Sequence, residues 1–296
     1  MDGRPVARRP HPRLIALRSV LASATLLISL LAGACAGAAG AVPPRVVAFP
    51  VTGARPVDHI QGVFTDEVAL ATIARAFERD YGFAPPEVSV VFLATRQALE
   101  DQLLTAGYDP AFARDAAARM RAVALHRRVF INSEALSTST WAARIGTLAH
   151  ELVHCLQYDL AGGRRGTSEQ WLREGFAEWI ALDLLRRIDG VAAGAARRYL
   201  EDELASSRPA EAPRLDDMMT FRQWVALAGR PGIVPQVQAV LTVDLLIERH
   251  GIPAILDYFR RFAGREDPTG NFAATFGQSR EAFARDVDAR LGLRRR

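Results

Sequence analysis

The spacing of apolar residues divides the chain into a mixed first part and a helical second part. Thr65 precedes a run with apolar residues three or four apart, which predicts a capped helix ending near residues 81–82. The β-branched run "EVSVVFLAT" predicts a strand, and its final Thr95 is a cap for a helix to about Ala106. An alanine-rich helix follows "GYDP". Two short apolar runs in "AVALHRRVFIN" then predict a hairpin around His126.

From Trp141 onward the pattern is helical almost to the end. Ser139 or Thr140 is the expected cap of a helix that stops before residues 162–163, both glycine. Thr167 and Gln170 have the spacing of a capping box for the helix "SEQWLREGFAEWIALDLLRRI". Further helices are expected around residues 193–206, 234–249, 252–263 and 280–291. The predicted class is therefore α+β, a small sheet with helices followed by a helical half.

The distribution of charged residues gives no electrostatic support for a nucleic-acid partner. Five of the 37 basic residues and one of the 33 acidic residues lie in the first 41 positions, which leaves 32 of each. The rest of the chain is formally neutral, apart from a short basic tail at residues 294–296. Binding to a polyanion depends on clustered basic side chains, which this remainder lacks.

The basic start and the apolar run "SVLASATLLISLLAGACAGAAGA" have the three parts of an export signal. We expect a bacterial protein that is periplasmic or extracellular. Three outcomes stay open: cleavage near Ala41, an uncleaved membrane anchor, or a lipoprotein, because "LLAGAC" resembles a lipobox with Cys35 as the lipidated residue. In the last two cases the N-terminal segment contacts the membrane.

Residues 1–41 are thus the export signal or anchor, and residues 42–62, rich in proline and glycine, read as a tether with one short strand. Residues 63–160 are expected to form an α+β N-terminal subdomain, and residues 161–296 a helical C-terminal subdomain. Cys155 is the one cysteine beyond the leader, so no intrachain disulfide is expected once Cys35 is cleaved off or acylated. A free cysteine on a buried helix is usually a small apolar filler.

The stretch "HELVH" at residues 150–154 has the spacing of a metal site. On an α-helix, His150 and His154 project from the same face, so both can offer a nitrogen to one ion. Glu151 is rotated by about 100° from His150. That position suits a base that touches a water molecule rather than the metal.

Two histidines do not complete a catalytic zinc site, which needs three protein ligands and one open position. The metzincin continuation requires a glycine and a third histidine where this chain has Gln157 and Leu160. A glutamate from the following helix is the alternative. Nineteen residues separate His154 from Glu174, and Glu178 lies one turn further on.

"HELVH" followed by "WLREGFAEW" resembles the gluzincin metallopeptidases, over about thirty residues. The resemblance implies a zincin-like fold with the zinc helix at the join of its two halves, and Glu174 as the third zinc ligand. It implies that Glu178 accepts a hydrogen bond from a ligating histidine, and that Gly175 lets the two helices approach closely. The later segment "LLIERHGIPAILDYFRRFA" is similar to the helical tail of bacterial peptidase-MA-like proteins.

One departure from the family concerns the oxyanion donor. Family members commonly carry a tyrosine or histidine on the later helix, where this chain has "PQVQAVLTVDLLIERHG". Gln236 is the candidate donor there, and His250 a more distant one that fits a helix C-terminus equally well. In the family, the strand before the zinc helix often pairs with the substrate backbone, which makes "RVFIN" the candidate strand.

The resemblance implies hydrolysis of a peptide or protein substrate with one zinc ion and Glu151 as the base. Two alternatives remain at this point. One is a zinc-binding scaffold or binding protein of the cell envelope with little or no proteolysis, which the missing tyrosine favours and the retained Glu151 opposes. The other is an exported helical interaction module without metal.

Overall fold

The computed structural model describes residues 43–189, 212–228 and 234–293, together with residues 198, 200–202, 204 and 230. The leader, Cys35 and the basic tail lie outside the described residues. The helix expected around residues 193–206 is described at residues 198, 200–202 and 204, all helical. Within these described parts, no helix is both long and apolar enough to cross a bilayer.

A four-stranded mixed sheet forms the first part of the fold. Its strands are β1 (Arg45–Phe49), β2 (Val88–Leu93), β3 (Ala122–Leu125) and β4 (Arg128–Asn132), in the order β1-β2-β4-β3. β2 pairs parallel with β4, and the two outer strands pair antiparallel with their neighbours. The expected hairpin is confirmed as β3–β4. The expected short strand of residues 42–62 is β1, which packs into the sheet through buried Phe49.

The strand order corrects the substrate-strand prediction. "RVFIN" is β4, which lies between β2 and β3 and has both edges paired. The two edge strands of the sheet are β1 and β3. Only an edge strand has free backbone groups for another chain, so β4 does not have the role expected of it.

The first two helices of the first part begin at the expected caps, whereas the cap of the third helix and the whole of the short fourth helix were not predicted. They are α1 (Asp66–Arg79), α2 (Arg96–Thr105), α3 (Pro110–Arg119) and the short α4 (Ser133–Leu136). The side chains of Thr65, Thr95 and Asp109 each accept a hydrogen bond from a backbone N–H in the first turn of α1, α2 and α3. These local bonds explain why the helix starts are readable from sequence.

The second part is helical. Its described helices are α5 (Trp141–Leu160), α6 (Gln170–Asp189), α7 (Phe221–Ala228), α8 (Pro235–Arg261), α9 (Pro268–Phe276) and α10 (Arg280–Leu291). Thr140 caps α5. The two helices expected at 234–249 and 252–263 are the two arms of α8, which breaks at Gly251 with φ 75°. α7 and α9 were not predicted. A mixed α+β architecture with a small sheet and a helical second part is thus confirmed.

The capping box expected at α6 is absent. The helix begins at Gln170, so Thr167 lies too far upstream to be its N-cap. The Thr167 hydroxyl and backbone N–H instead bond to the Glu266 carboxylate, at 2.8 and 2.9 Å. Thr167 therefore donates to the charged carboxylate of a residue distant in sequence, and not to the side chain of Gln170 as the capping-box pattern predicted.

α6 is the central helix of the second part, packed against α5 on one side and α8 on another. Gly175 permits the contact with α8: a Cβ atom there would lie 2.5 Å from the carbonyl oxygen of Ala239 and 2.8 Å from a methyl carbon of Val243. The close approach predicted at Gly175 exists, but its partner is α8 rather than α5.

We expect Gly175→Ala to lower the free energy of unfolding by about 1–3 kcal/mol, because the new methyl group overlaps a backbone carbonyl that cannot rotate away. Alanine's higher helix propensity, worth about 1 kcal/mol, offsets only part of this cost. Urea unfolding of the purified variant measures the change. Gly264→Ala is the matched control, since a Cβ there meets nothing within 4 Å. Equal stability of Gly175→Ala and the parent would refute the tight packing.

Candidate metal centre

Three side chains from α5 and α6 converge at the interface of these helices. His150 Nε2 lies 3.3 Å from one Glu174 oxygen, His154 Nε2 lies 3.5 Å from the other, and the two Nε2 atoms are 3.0 Å apart. The imidazoles and the carboxylate are largely buried, with 13–17% of each side chain exposed. The expected set His150, His154 and Glu174 is therefore brought together as a candidate metal-binding triad.

Hydrogen bonds on the far side of each ring define the tautomers. The Nδ1 atom of His150 lies 3.0 Å from Glu178 Oε2, and Nδ1 of His154 lies 2.9 Å from Gln157 Oε1. Gln157 is itself oriented, because its Nε2 donates to the Arg173 carbonyl at 2.9 Å. Both partners of the rings are acceptors, so each Nδ1 carries the proton. When both imidazoles are neutral, each turns an unprotonated Nε2 toward the other and toward Glu174.

The donor set fits a metal ion. Lone pairs of two Nε2 atoms and an ionised carboxylate repel one another unless a cation lies between them. Around a tetrahedral zinc with bonds of ~2.0–2.1 Å, ligand atoms lie about 3.3 Å apart. The two Nε2 atoms are 3.0 Å apart, and each lies 3.3 or 3.5 Å from a different oxygen of Glu174, so the side chains are close enough to share one ion.

The pKa values of the site respond to the same convergence. Burial by itself lowers the pKa of His150, but hydrogen bonds with Glu174 and Glu178, and their charges, raise it well above its usual range. Burial raises the pKa of the Glu174 carboxyl, but the charges and hydrogen bonds of the two histidines bring this pKa well below its usual range. Without a metal, the site therefore stabilises a proton, the simplest cation that can occupy it.

Two residues near the triad were not expected to act there. Gln170 donates from Nε2 to Glu174 Oε1 at 2.6 Å, and its own Oε1 accepts from Arg165 at 2.8 Å. Gln157, noted in the sequence only as a departure from the metzincin motif, orients His154. Glutamine side chains have no spacing signature for such roles, so no signal in the sequence could have found them.

Glu151 lies beside the triad without joining it. Burial raises the pKa of its carboxyl, the nearby histidines lower it in part, and a backbone hydrogen bond from Ala124 also lowers it. The net shift is upward. A carboxylate with a raised pKa is a stronger base than an ordinary surface glutamate.

The triad and Glu151 open onto a cavity of about 280 Å³. Its wall includes β3 and the segments next to it, one face of α5, the start of α6, residues of α3 and α7, and Gln236 at the start of α8. Gln236 is thus placed at the cavity, as expected for a donor. His250 is not: its ring lies against Phe276, with 5.4 Å between ring centroids, next to the break in α8. Tyr108 and Tyr158 also line the cavity and were missed by the sequence.

Two other sequence predictions are settled by position. Cys155 is fully buried on α5 and its thiol donates to the Leu125 carbonyl at 3.4 Å, which confirms a structural role. Burial raises the pKa of this thiol well above its usual range, so it stays protonated. His126 lies at the exposed turn of the β3–β4 hairpin, 3.2 Å from Asp159.

No protein family, curated protein or solved structure matches the chain. The chemistry of the site is accordingly inferred from its own geometry.

We expect His150→Ala, His154→Ala and Glu174→Ala each to lose stoichiometric metal, because two ligands leave half of a tetrahedral site to solvent. Inductively coupled plasma mass spectrometry after dialysis against zinc and then buffer measures the bound ion. His126→Ala is the matched control, a histidine outside the triad. Retention of one ion by all three alanine variants would mean that metal binds elsewhere.

Glu178→Gln should keep the fold and weaken metal binding about 10- to 100-fold, because the ring of His150 loses a charged partner that raises its basicity. Competition with a chromophoric chelator gives the dissociation constant. Glu87→Gln, at a carboxylate 83% exposed to solvent, is the control for the loss of one negative charge. An unchanged metal dissociation constant in Glu178→Gln would show that Glu178 does not support metal binding through His150.

Proposed function

We propose that this chain is an exported, zinc-dependent metallopeptidase of the gluzincin type with a zincin-like arrangement of its halves. One observation carries the proposal: His150, His154 and Glu174 converge in the wall of a cavity, and Glu151 stands beside them at the same wall. A purely structural metal site is closed by four protein ligands, and it has no use for a base next to an open side.

The ligand types favour zinc over other divalent ions. Two imidazole nitrogens and one carboxylate suit zinc, whereas calcium and magnesium prefer oxygen ligands throughout. Zinc held by such a set supplies a Lewis acid with an open position, which acidifies a water molecule and polarises a carbonyl oxygen. The sulfur of Cys155 does not compete, because it is buried on another face of α5 and bonded to Leu125.

Glu151 is the proposed general base. Its carboxylate takes a proton from the attacking water and afterwards delivers it to the nitrogen of the leaving amine. Its raised pKa serves both steps, because a group that titrates nearer to neutral pH accepts and returns a proton more readily. Glu178 and Gln157 take no proton in this scheme and orient the two imidazoles.

β3 is the proposed substrate strand. It is one of the two edge strands of the sheet, and its residues 122–124 line the cavity next to Glu151, whereas no residue of the other edge strand, β1, does. An extended peptide can add to such an edge through backbone hydrogen bonds. This addition would bring a peptide carbonyl alongside the triad.

The donor for the developing oxyanion is Gln236. The described tyrosine of α8, Tyr258, lies in the core with its hydroxyl bonded to Glu169. Losing a strong oxyanion donor costs about 10²- to 10³-fold in rate. We therefore expect slow turnover with unselected peptides.

The same observation favours a second candidate, a zinc-binding scaffold or binding protein of the envelope with little proteolysis. Both candidates share the exported location proposed from the leader, free in the periplasm or medium, or attached to the membrane through the leader or a lipid on Cys35. A digest of a peptide library with and without chelator separates them, since only the peptidase yields chelator-sensitive products.

Glu151→Gln should retain zinc and fold as the parent does, yet lose about 10²- to 10⁴-fold in kcat, because glutamine cannot accept the proton. Cleavage of a quenched fluorescent peptide library by the zinc-loaded proteins measures the loss. Glu134→Gln, at a half-exposed glutamate of α4, is the control. Parent-like cleavage by Glu151→Gln would show that another group is the base.

A further inference from the structure

Beyond the metal centre, the cavity has an aromatic wall. The ring of Phe112 lies 5.1 Å from that of Tyr108 and 5.7 Å from that of Phe221, measured between centroids. Tyr158 and Trp224 line the same cavity. Such a wall fits a flat or apolar side chain of a ligand.

Guanidinium groups stand at this wall. That of Arg165 lies 5.2 Å from the ring centroid of Phe221, and that of Arg173 lies 5.6 Å from the ring centroid of Tyr158. Arg121 also lines the cavity, and its Nη1 is buried without a hydrogen-bond partner among the described residues. Across the described part of the chain, none of these three arginines lies within 4 Å of a carboxylate. The fourth cavity arginine, Arg119, differs because it pairs with Asp115.

Arg173 is the most deeply placed of the three, with only 3% of the residue exposed. Its Nη1 donates to the Arg165 carbonyl at 2.6 Å and to the Ser168 hydroxyl at 3.3 Å, both neutral acceptors. A buried charge without a counter-ion is unfavourable, and an anion bound next to it relieves that cost.

The acids of the cavity are already engaged elsewhere. Glu174 is bonded to Gln170 and faces both histidines, Glu178 is bonded to His150, and Glu151 stands at the metal centre. Asp115 is paired with Arg119. The cavity is thus acidic at the metal centre and basic along the aromatic wall.

From this division we infer that the cavity binds a substrate carrying a carboxylate next to an aromatic or large apolar side chain, with Arg165 and Arg121 as the carboxylate-binding residues. The inference rests on the proposed function in calling the ligand a substrate. Guanidinium groups bind carboxylates through paired, charge-assisted hydrogen bonds, and the guanidinium of Arg165 is held against the ring of Phe221. Arg173 adds positive charge behind them.

Arg165 also relates the two ends of the cavity. Its Nη2 donates to Gln170, whose amide donates to Glu174. Two hydrogen bonds therefore fix the guanidinium relative to the metal ligand. A substrate carboxylate bound to Arg165 would therefore lie at a fixed distance from the metal centre, and this distance would determine which peptide bond is cut.

The carboxylate can come from a free C-terminus or from an acidic side chain, and two pairs of peptides distinguish these sources. Each peptide contains one phenylalanine. The two peptides of the first pair have the same sequence, and one ends in a free C-terminal carboxylate and the other in an amide. Both peptides of the second pair are blocked at both ends, and one contains a glutamate where the other contains a glutamine. Calorimetric titration uses the zinc-treated Glu151→Gln protein, so that no peptide is consumed. In one pair we expect the acid to bind about 10- to 100-fold more tightly than its neutral partner.

Arg165→Gln and Arg121→Gln, each combined with Glu151→Gln, should reduce that preference about tenfold or more. Arg164→Gln is the matched control: it removes the same charge one residue away, from a side chain 56% exposed that bonds to the carbonyls of Phe262 and Ala263 outside the cavity. Zinc content is measured in every variant because Arg165 contacts Gln170. Arg121 contacts no metal ligand in the described residues, so its variant decides the matter if Arg165→Gln loses zinc.

The pair that shows the preference identifies the source of the carboxylate. Lack of preference in both pairs, or an equal preference in the Arg121→Gln, Arg165→Gln and Arg164→Gln proteins, would overturn the inference. Its failure is distinct from failure of the proposed function, for which the sign is that the parent protein cleaves no peptide in a chelator-sensitive way. Arginine-dependent binding by a protein without peptidase activity would support the carboxylate site alone.

Discussion

The organisation of the helical half depends on two imidazole nitrogens that face each other across 3.0 Å next to an ionised carboxylate. This arrangement is unfavourable unless a proton or a metal ion lies between the groups, and the hydrogen bonds behind each ring leave no alternative tautomer of the neutral imidazoles. Glu178 and Gln157 accept from the Nδ1 atoms, so the Nε2 lone pairs have to point inward. The surrounding helices thus hold a set of acceptors in place for a cation, and the cost of that arrangement is recovered when the cation binds.

α6 positions these groups because it contacts α5, the cavity and α8 with different faces. One turn of it presents Glu174 and Glu178 to the histidines of α5, the preceding Arg173 faces the cavity, and Gly175 lies against the backbone of α8. Because these residues are consecutive or one turn apart, a small shift of α6 would disturb the site, the cavity and the packing together. The glycine contact with α8 therefore acts as a positional constraint on the ligands, even though Gly175 touches none of them.

Local chemistry in the sequence predicted the parts of this structure that are local in space. The caps at Thr65, Thr95 and Thr140, the β3–β4 hairpin and the helical spacing of His150 and His154 each involve atoms a few residues apart. Strand order, the Thr167–Glu266 bond and the partner of Gly175 depend on segments that meet only in the folded chain. Hydrophobic period and propensity carry no information about such contacts, so the sequence could not show that "RVFIN", the candidate substrate strand, lies inside the sheet as β4. The resemblance to gluzincins bridged part of that gap, since it paired Glu174 with the histidines across nineteen residues.

The separation of charge inside the cavity follows from the same geometry. Glu174 and Glu178 are bonded to the imidazoles, and in the described residues neither forms an ion pair with an arginine of the cavity, although Arg173 and Glu174 are adjacent in sequence. A metal ion would compensate the acidic end from within. Arg121, Arg165 and Arg173 have no carboxylate partner among the described residues, and aromatic rings rather than carboxylates lie against the guanidinium groups of Arg165 and Arg173. A neutral peptide would leave these charges uncompensated as it displaced water from the cavity, whereas an anionic one would compensate them. Under the proposed function, the charge of the substrate would therefore contribute to recognition along with the apolar side chain that the aromatic wall would receive.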